Sequence, residues 1–199
     1  FGSISLIESP AAEATKKAVE LARASKLLVS YDPNVRISLW PSKETCKQTI
    51  LNTLNWADVV KINEDELEFL TGSRDFAAAD ALRAEHDLPM LIITLDSRGC
   101  YFATKEGGKQ VPGFQVELVE ATGAGDGFNS GVIAGLLPYI KNAPDRREAL
   151  LALDHAKLSE IVRSANAIGA ITCTKAGAIP ALPHTEEIAT FMQKMAVKN

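Results

Sequence analysis

The sequence predicts an α/β fold with a largely parallel central sheet covered by helices on both faces. Apolar runs suited to buried strands alternate with stretches of helical period. Strands joined by crossover helices pair in parallel. Polar clusters also close three of these runs, at Asp32-Pro-Asn34, Asn63-Glu-Asp-Glu66 and Thr94-Leu-Asp96. In open α/β sheets that carboxyl edge is where ligands bind. At 199 residues the chain is long enough for one good core or for part of a larger one.

The elements follow in order. Ser3–Ile7 reads as a strand, entered directly from Phe1. Ala14, Ala18, Leu21 and Ala22 fall on one helical face, and Leu27–Asp32 is a short strand. Ser42 caps a helix running through Asn55, and Asp58–Asn63 is the next strand. Helical segments over Glu64–Leu70 and Asp75–His86 precede a strong strand, Met90–Leu95. A hairpin follows, with Glu106-Gly-Gly-Lys109 as its turn. Helices then fill most of Gly125–Leu137, Ala149–Cys173 (with a break) and Thr185–Met195, and Lys141–Arg147 is a polar surface loop. With no repeat, low-complexity tract or linker, residues 1–199 read as a single, partial domain.

Composition narrows the function classes. Hydrophobic residues at 46% and charged residues at 23% are ordinary for a soluble globular protein. A net charge of −4 without a basic stripe argues against nucleic acid as a partner. No apolar run approaches the roughly 20 residues that span a bilayer, so a membrane role is not expected. Cys46, Cys100 and Cys173 are odd in number and lack a C-x-x-C spacing, which fits a reducing cytoplasm. His86, His155 and His184 form no metal-ligand spacing, so zinc is not expected. The chain opens on Phe1 with no charged leader or cleavage pattern, and reads as beginning inside a domain.

The most informative stretch is Glu120-Ala-Thr-Gly-Ala-Gly-Asp-Gly-Phe128, which runs into a small-residue helix. Gly123, Ala124 and Gly125 allow backbone N–H groups to converge on one point, where the helix dipole favours an anion such as phosphate. No Walker A pattern is present, and a G-x-G-x-x-G starting at Gly123 meets Phe128 where glycine is required. Asp126 by itself is open to two readings. It is either a helix-start charge worth roughly 0.3–1 kcal/mol, or a base for a nucleophile that attacks phosphorus. The flanking glycines favour the second.

Other candidates are weaker. Asn63 and Glu66 lie three apart on one helix face, a spacing that suits waters around a phosphate-bound Mg²⁺. Glu64, Asp65 and Glu68 read as a solvated acidic helix start. Thr94 and the turn through Gly99 are either a plain connection or a contact to nucleotide phosphates. Asn166, among small helical residues, is either a satisfied buried amide or an adenine contact.

Together these segments resemble the ribokinase-like (PfkB) family of carbohydrate kinases. The match lies in Ala121-Thr-Gly-Ala-Gly-Asp-Gly-Phe128, Asn63-x-x-Glu66 and Thr94-Leu-Asp-Ser-Arg-Gly99. The blocks Tyr31-Asp-Pro-Asn-Val-Arg36, Leu39-Trp-Pro-Ser42 and Ala165–Pro183 look closest to its fructokinases. The resemblance implies a three-layer α/β/α fold and ATP-dependent phosphorylation of a sugar hydroxyl, with fructose at its 6-hydroxyl first. 2-Keto-3-deoxygluconate, ribose or a nucleoside are the alternative substrates, and a kinase-like binding protein without catalysis is the alternative class.

Carried over, Asp126 is the catalytic base and the Gly123, Ala124 and Gly125 amides are the anion hole. Asn63 and Glu66 become the Mg²⁺-associated pair, acting through water. Thr94, Asp96, Gly99, Asn166 and Gly177 become ATP contacts, and Asp32, Asn34 and Arg36 the sugar-side candidates. Two departures stand out. Where the family has Asp-Thr-Thr, this chain has Glu120-Ala-Thr122, so Glu120 is the candidate for the family's monovalent cation, K⁺. The family's N-terminal strands, Gly-Gly sugar segment and β-lid have no counterpart here. The unpaired sheet edge this implies points to poor sugar binding by the chain alone and to association, with a homodimer as the candidate assembly.

Overall fold

The computed structural model, which describes residues 1–196, builds one five-stranded sheet. Its strands are β1 (Ser30–Tyr31), β2 (Val59–Asn63), β3 (Met90–Thr94), β4 (Cys100–Thr104) and β5 (Gly107–Val111), in that spatial order. β1, β2 and β3 are parallel, with Tyr31 opposite Val60 and Asn63 opposite Thr94. The links from β3 to β4 and from β4 to β5 are too short for a crossover, so this half of the sheet turns back on itself. Successive residues of β2 and β3 are buried, as expected of strands covered on both faces. Ile62, Leu91, Ile92 and Ile93 are fully buried.

The helices are α1 (Ala11–Ala24), α2 (Lys43–Leu54), α3 (Glu64–Thr71), α4 (Phe76–Glu85), α5 (Ala124–Ile140), α6 (Arg146–Leu151), α7 (His155–Thr172) and α8 (Thr185–Ala196). They fall into two compact units. The first comprises Phe1–Thr94, Tyr101–Lys109 and Ala143–Leu151; the second comprises Leu95–Cys100, Gln110–Asn142 and the chain from Ala152 on. Among the described residues no helix is long and apolar enough to cross a membrane. Cys46, Cys100 and Cys173 are unpaired.

In the first unit, three sequence expectations need correction. Ser3–Leu6 is a tight 3₁₀ turn, not a strand. The strand-like pairing stops at Phe1, whose terminal ammonium donates to the Ser30 carbonyl at 2.8 Å while its own carbonyl accepts from Asp32 N–H at 3.0 Å. Ser5 Oγ then donates to the Gly2 carbonyl and closes the turn. Ser3 and Leu6, three apart, are buried while Ile4 is exposed. Burial thus follows a three-residue period rather than alternation.

The buried face of α1 is also shifted. Val19 is buried, with Ala12, Thr15 and Ala22 half-buried, whereas Ala14, Ala18 and Leu21 face outward. The hairpin turns at Lys105-Glu106, and both glycines belong to β5. Gly108 lies against the Tyr101 ring, and a Cβ there would sit 1.6 Å from the phenolic oxygen. The expected α2 holds, with Ser42 Oγ accepting the Thr45 N–H at 3.0 Å.

Asp58 knits the amino ends of the parallel strands. Its Oδ2 accepts Val29 N–H at 2.8 Å and its Oδ1 accepts Arg147 Nη1 at 2.6 Å. Its main chain links Val29 on one side to Met90 on the other. Arg147, at the start of α6, also donates to the Asp87 carbonyl.

The second unit is built on α5 against α7. Gly127, Gly131 and Gly135 recur every four residues on α5, one above another on the same face. A Cβ at Gly131 would lie 2.8 Å from Ala165 Cα, and one at Gly135 would lie 2.7 Å from Ile161 Cγ2. The helices meet backbone to side chain with no room for a methyl group. α8 packs on α7, and its Phe191 meets Phe114, in the segment after β5, edge to face with centroids 5.2 Å apart.

Replacing Asp58 with alanine leaves the Val29 amide without its acceptor and Arg147 without its buried partner. Asp58→Ala is expected to cost about 2–3 kcal/mol, discounted for the half-exposed Arg147. Urea unfolding tests this as a lower midpoint at unchanged slope. An unmoved midpoint removes Asp58 from the account of sheet stability.

Candidate active site

The start of α5 is set by Gly123, its N-cap, in a left-handed conformation at φ 81°. Only glycine adopts this readily, and the site is also crowded. A Cβ would fall 3.0 Å from Ala178. The turn engages one of the expected amides, since Ala124 N–H donates to the Ala121 carbonyl at 3.2 Å. Gly127 N–H, one turn in, returns to the Gly123 carbonyl. The N–H groups of Gly123, Gly125 and Asp126 have no acceptor among the described residues, as the first turn of a helix leaves them. The open set is therefore Gly123, Gly125 and Asp126, and Ala124 drops out because its N–H is spent on the turn.

Asp126 stands third in this helix with its side chain exposed. Among the described residues its carboxylate makes no hydrogen bond and no ion pair. The neighbouring Gly127 and Phe128 are buried, so the aspartate marks where the packed face of α5 gives way to solvent.

Behind this start, the segment before α5 is stitched to the loop after α7. Val119 and Glu120 N–H both donate to the Cys173 carbonyl, at 2.8 and 3.2 Å. Glu120 Oε2 accepts the Gly177 N–H at 2.8 Å, and Gly177 is itself left-handed at φ 88°. The Gly177 amide, then the Thr122 hydroxyl, hold the Glu120 carboxyl below the usual carboxylate range, against a smaller effect of burial. The contact is therefore present at neutral pH and is lost as the pH falls through that lowered value.

Asp96 is exposed and left-handed at φ 50°, at the head of a 3₁₀ turn ending at Gly99. Gly99 presses on Val111–Gly113, and a Cβ there would meet the Val111 carbonyl at 2.2 Å. Asn166 resolves to the buried-amide alternative. Its Nδ2 donates to the Val111 and Pro112 carbonyls at 3.3 and 3.2 Å, so it braces the backbone beside Gly99 instead of opening to solvent. Sequence reasoning missed Gly113 and Ala178, whose roles are close backbone approaches that no spacing rule reports.

In the first unit, the carboxyl ends of β1, β2 and β3 carry the second group of candidates. Asn63 Oδ1 accepts Glu66 N–H at 2.8 Å, and Glu66 Oε2 accepts Asn63 N–H at 2.9 Å. This is a reciprocal capping box at the start of α3. Glu66 Oε1 also accepts Val35 N–H at 2.7 Å. Both oxygens are engaged and the residue is only 6% exposed. Asn63 and Glu66 thus share one helix start, as the spacing predicts, and both are held by the backbone. Each of these oxygens meets one backbone N–H and keeps a second lone pair that a water could reach. Among the described residues no group of three or more His, Cys, Asp or Glu side chains is arranged to hold a metal ion.

The Val35 contact fixes the loop Asp32–Arg36, in which Asn34 is exposed and left-handed at φ 47°. Asp32 Oδ2 pairs with Lys61 Nζ at 3.0 Å, while its buried Oδ1 has no partner among the described residues. Arg36 is exposed and folds onto the Val35 carbonyl. Thr94 Oγ1 reaches the Ile62 carbonyl at 3.4 Å, beside Asn63 in register. Lys61 was missed, although a lone lysine in Val59-Val-Lys-Ile-Asn63 is a signal the sequence offers.

Known proteins resemble this chain along nearly its whole length. The profile of the pfkB family carbohydrate kinases matches residues 2–185. Probable fructokinase-4 of Arabidopsis thaliana is 43% identical over 194 residues, which are 97% of this chain and 57% of the relative. This chain thus spans little more than half the length of that relative. Among solved structures, the fructokinase from Xylella fastidiosa with bound ATP superposes with a TM-score of 0.86 at 28% identity, over 98% of this chain and 61% of that one. A fructokinase double mutant from Vibrio cholerae O395, in fructose, ADP and potassium ion bound form, gives a TM-score of 0.81 at 32% identity, over 96% and 58%. The chain belongs to the pfkB family of carbohydrate kinases.

Proposed function

We propose that the chain serves an ATP-dependent sugar kinase, with fructose as acceptor at its 6-hydroxyl and ATP taken up as its Mg²⁺ complex. The observation that carries this reading is Asp126, an exposed carboxylate without a structural partner beside open helix-start amides. Its only structural part among the described residues is the charge it places at a helix start, worth about 0.3–1 kcal/mol. The fructose and ADP bound in the Vibrio cholerae relative support the substrate pair.

In this reading the sugar oxygen attacks the γ-phosphorus and forms a new P–O bond. The bond from that phosphorus to the β,γ-bridging oxygen breaks, and ADP leaves with the electron pair. The hydroxyl proton passes to the Asp126 carboxylate, while the open amides stabilise charge on the transferred phosphoryl oxygens. Asp96, Gly99 and Gly177 shape the nucleotide side, with Asn166 bracing it from behind, and Thr94 is a further candidate contact. Asp32, through its unpartnered Oδ1, and the exposed Asn34 and Arg36 are the sugar-side groups. Glu66 acts by holding the Asp32–Arg36 loop through Val35, so its contribution is to sugar positioning.

Two measurements test this reading. Asp126→Asn is expected to lower ADP formation in the presence of fructose by about 10²–10⁴-fold while ATP binding is retained. Unchanged turnover in that variant rejects Asp126 as the base and favours a binding module. Glu66→Gln turns an amide N–H₂ toward one of two backbone donors, and is expected to cost about 1–3 kcal/mol in denaturant unfolding. It should also speed hydrogen exchange at Val35 without changing the affinity for Mg²⁺·ATP. A loss of that affinity with Val35 still protected returns Glu66 to the metal.

A further inference from the structure

The segment Leu118–Gly125 and the chain from Cys173 to Ala181 meet at three points. The paired amides of Val119 and Glu120 meet the Cys173 carbonyl, Gly123 lies against Ala178, and Glu120 reaches Gly177. The first two are backbone contacts that any side chain at position 120 leaves in place. The third spans 57 residues of sequence and depends on a carboxylate of one particular length. It also lands on a glycine at φ 88°, a conformation that glycine adopts readily and other residues adopt at a cost, and Glu120 is the acceptor that the Gly177 N–H has among the described residues. Beyond it the loop is thinly packed, with Ile179 82% exposed.

Resemblance to the family suggests a carboxylate here that helps hold a monovalent cation. The groups around Glu120 do not fit that task. Its partners are hydrogen-bond donors, the Gly177 N–H at 2.8 Å and the Thr122 hydroxyl, and a carboxylate so engaged is already compensated. The extra methylene relative to aspartate gives the reach to Gly177.

We propose that Glu120 is a positioning residue for nucleotide binding, an internal clasp that holds the Gly177 loop against the start of α5 without a monovalent cation. This rests on the kinase reading above.

The test uses the 199-residue chain and its Glu120→Ala, Glu120→Gln and Glu120→Asp variants. Mg²⁺·ATP affinity is titrated in potassium, sodium and choline chloride at equal ionic strength, and exchange at the Gly177 amide is followed without ligand. The unaltered chain should bind ATP within about twofold in all three salts. Glu120→Ala should weaken binding about tenfold or more and expose Gly177 to exchange, in line with loss of a hydrogen bond to a charged group. Glu120→Gln, which keeps length and an acceptor oxygen, should restore most of both properties. Glu120→Asp, one methylene short, should restore neither.

Potassium strengthening the unaltered chain's binding tenfold over choline overturns the proposal, as does an unchanged Gly177 in Glu120→Ala. ATP binding that survives Glu120→Ala while Gly177 is released overturns it too, and leaves the kinase reading standing. If the unaltered chain binds no ATP in any salt while Glu120→Ala still releases Gly177, the kinase reading fails and takes this role with it.

Discussion

The close approach of α5 to α7 is the constraint on which the candidate site depends. Three glycines one helical turn apart bring the helices together so tightly that a single methyl group at Gly131 would overlap Ala165. Interiors packed at this density tolerate no axial slip of one helix along the other. The amino end of α5 therefore sits at a fixed height relative to the end of α7 and to the loop that follows it. Gly123 and Ala178 in contact, and the two amides shared by the Cys173 carbonyl, follow from that height. Open amides at a helix start are common, because the first turn of every helix has them. Open amides on a helix that cannot shift are preorganised, and such donors stabilise developing charge without first having to reorganise.

Several carboxylates elsewhere in the chain serve the backbone in a way that Asp126 does not. Asp58 accepts the Val29 amide, Glu66 accepts those of Val35 and Asn63, Glu120 accepts that of Gly177, and Asp154 caps α7 through Lys157. Each satisfies a main-chain donor that would otherwise lack a partner, and each can be explained by the fold alone. Asp126 is surrounded by unsatisfied donors as well, yet its own oxygens turn to solvent. Its charge at the helix start is worth only about 0.3–1 kcal/mol, and its oxygens stay open to a ligand, which is what the base proposed above requires.

Much of the architecture was legible because it rests on local chemistry. Ser42 before a helical period, Asn63 three residues before Glu66, and apolar runs of strand length each specify their element with little help from distant residues. What escaped was set by partners far along the chain. The Ser3–Leu6 stretch has the composition of a strand, but the pairing was already taken by Phe1 on Ser30 and Asp32, and a serine hydroxyl closed the turn. The buried face of α1 was misjudged because alanine is nearly neutral in pattern, so Val19 and not Leu21 decided it. In the site, residue types marked candidate positions without showing the structural partners that the fold gives them. Glu66 and Asn166 face backbone groups 31 and 55 residues away, and nothing in their own neighbourhood announces those partners.

The two ends of the parallel strands divide stability from function. At the amino ends, Asp58, Arg147 and the Asp87 carbonyl form a closed set in which every charge meets a counter-charge or a dipole. At the carboxyl ends the accounting is left incomplete. Asp32 has one oxygen paired with Lys61 and one buried oxygen with no partner among the described residues, and Asn34 is left-handed, as asparagine allows more readily than most residues. Buried polar atoms without partners cost about 1–3 kcal/mol each, and folds seldom keep them where nothing is gained. Glu66 holds the loop that carries both features through the Val35 N–H, and its contact with Asn63 N–H ties it to the start of α3. An edge that is polar and incompletely satisfied suits the sugar acceptor proposed above, because hydroxyl groups of such a ligand could supply the missing hydrogen bonds.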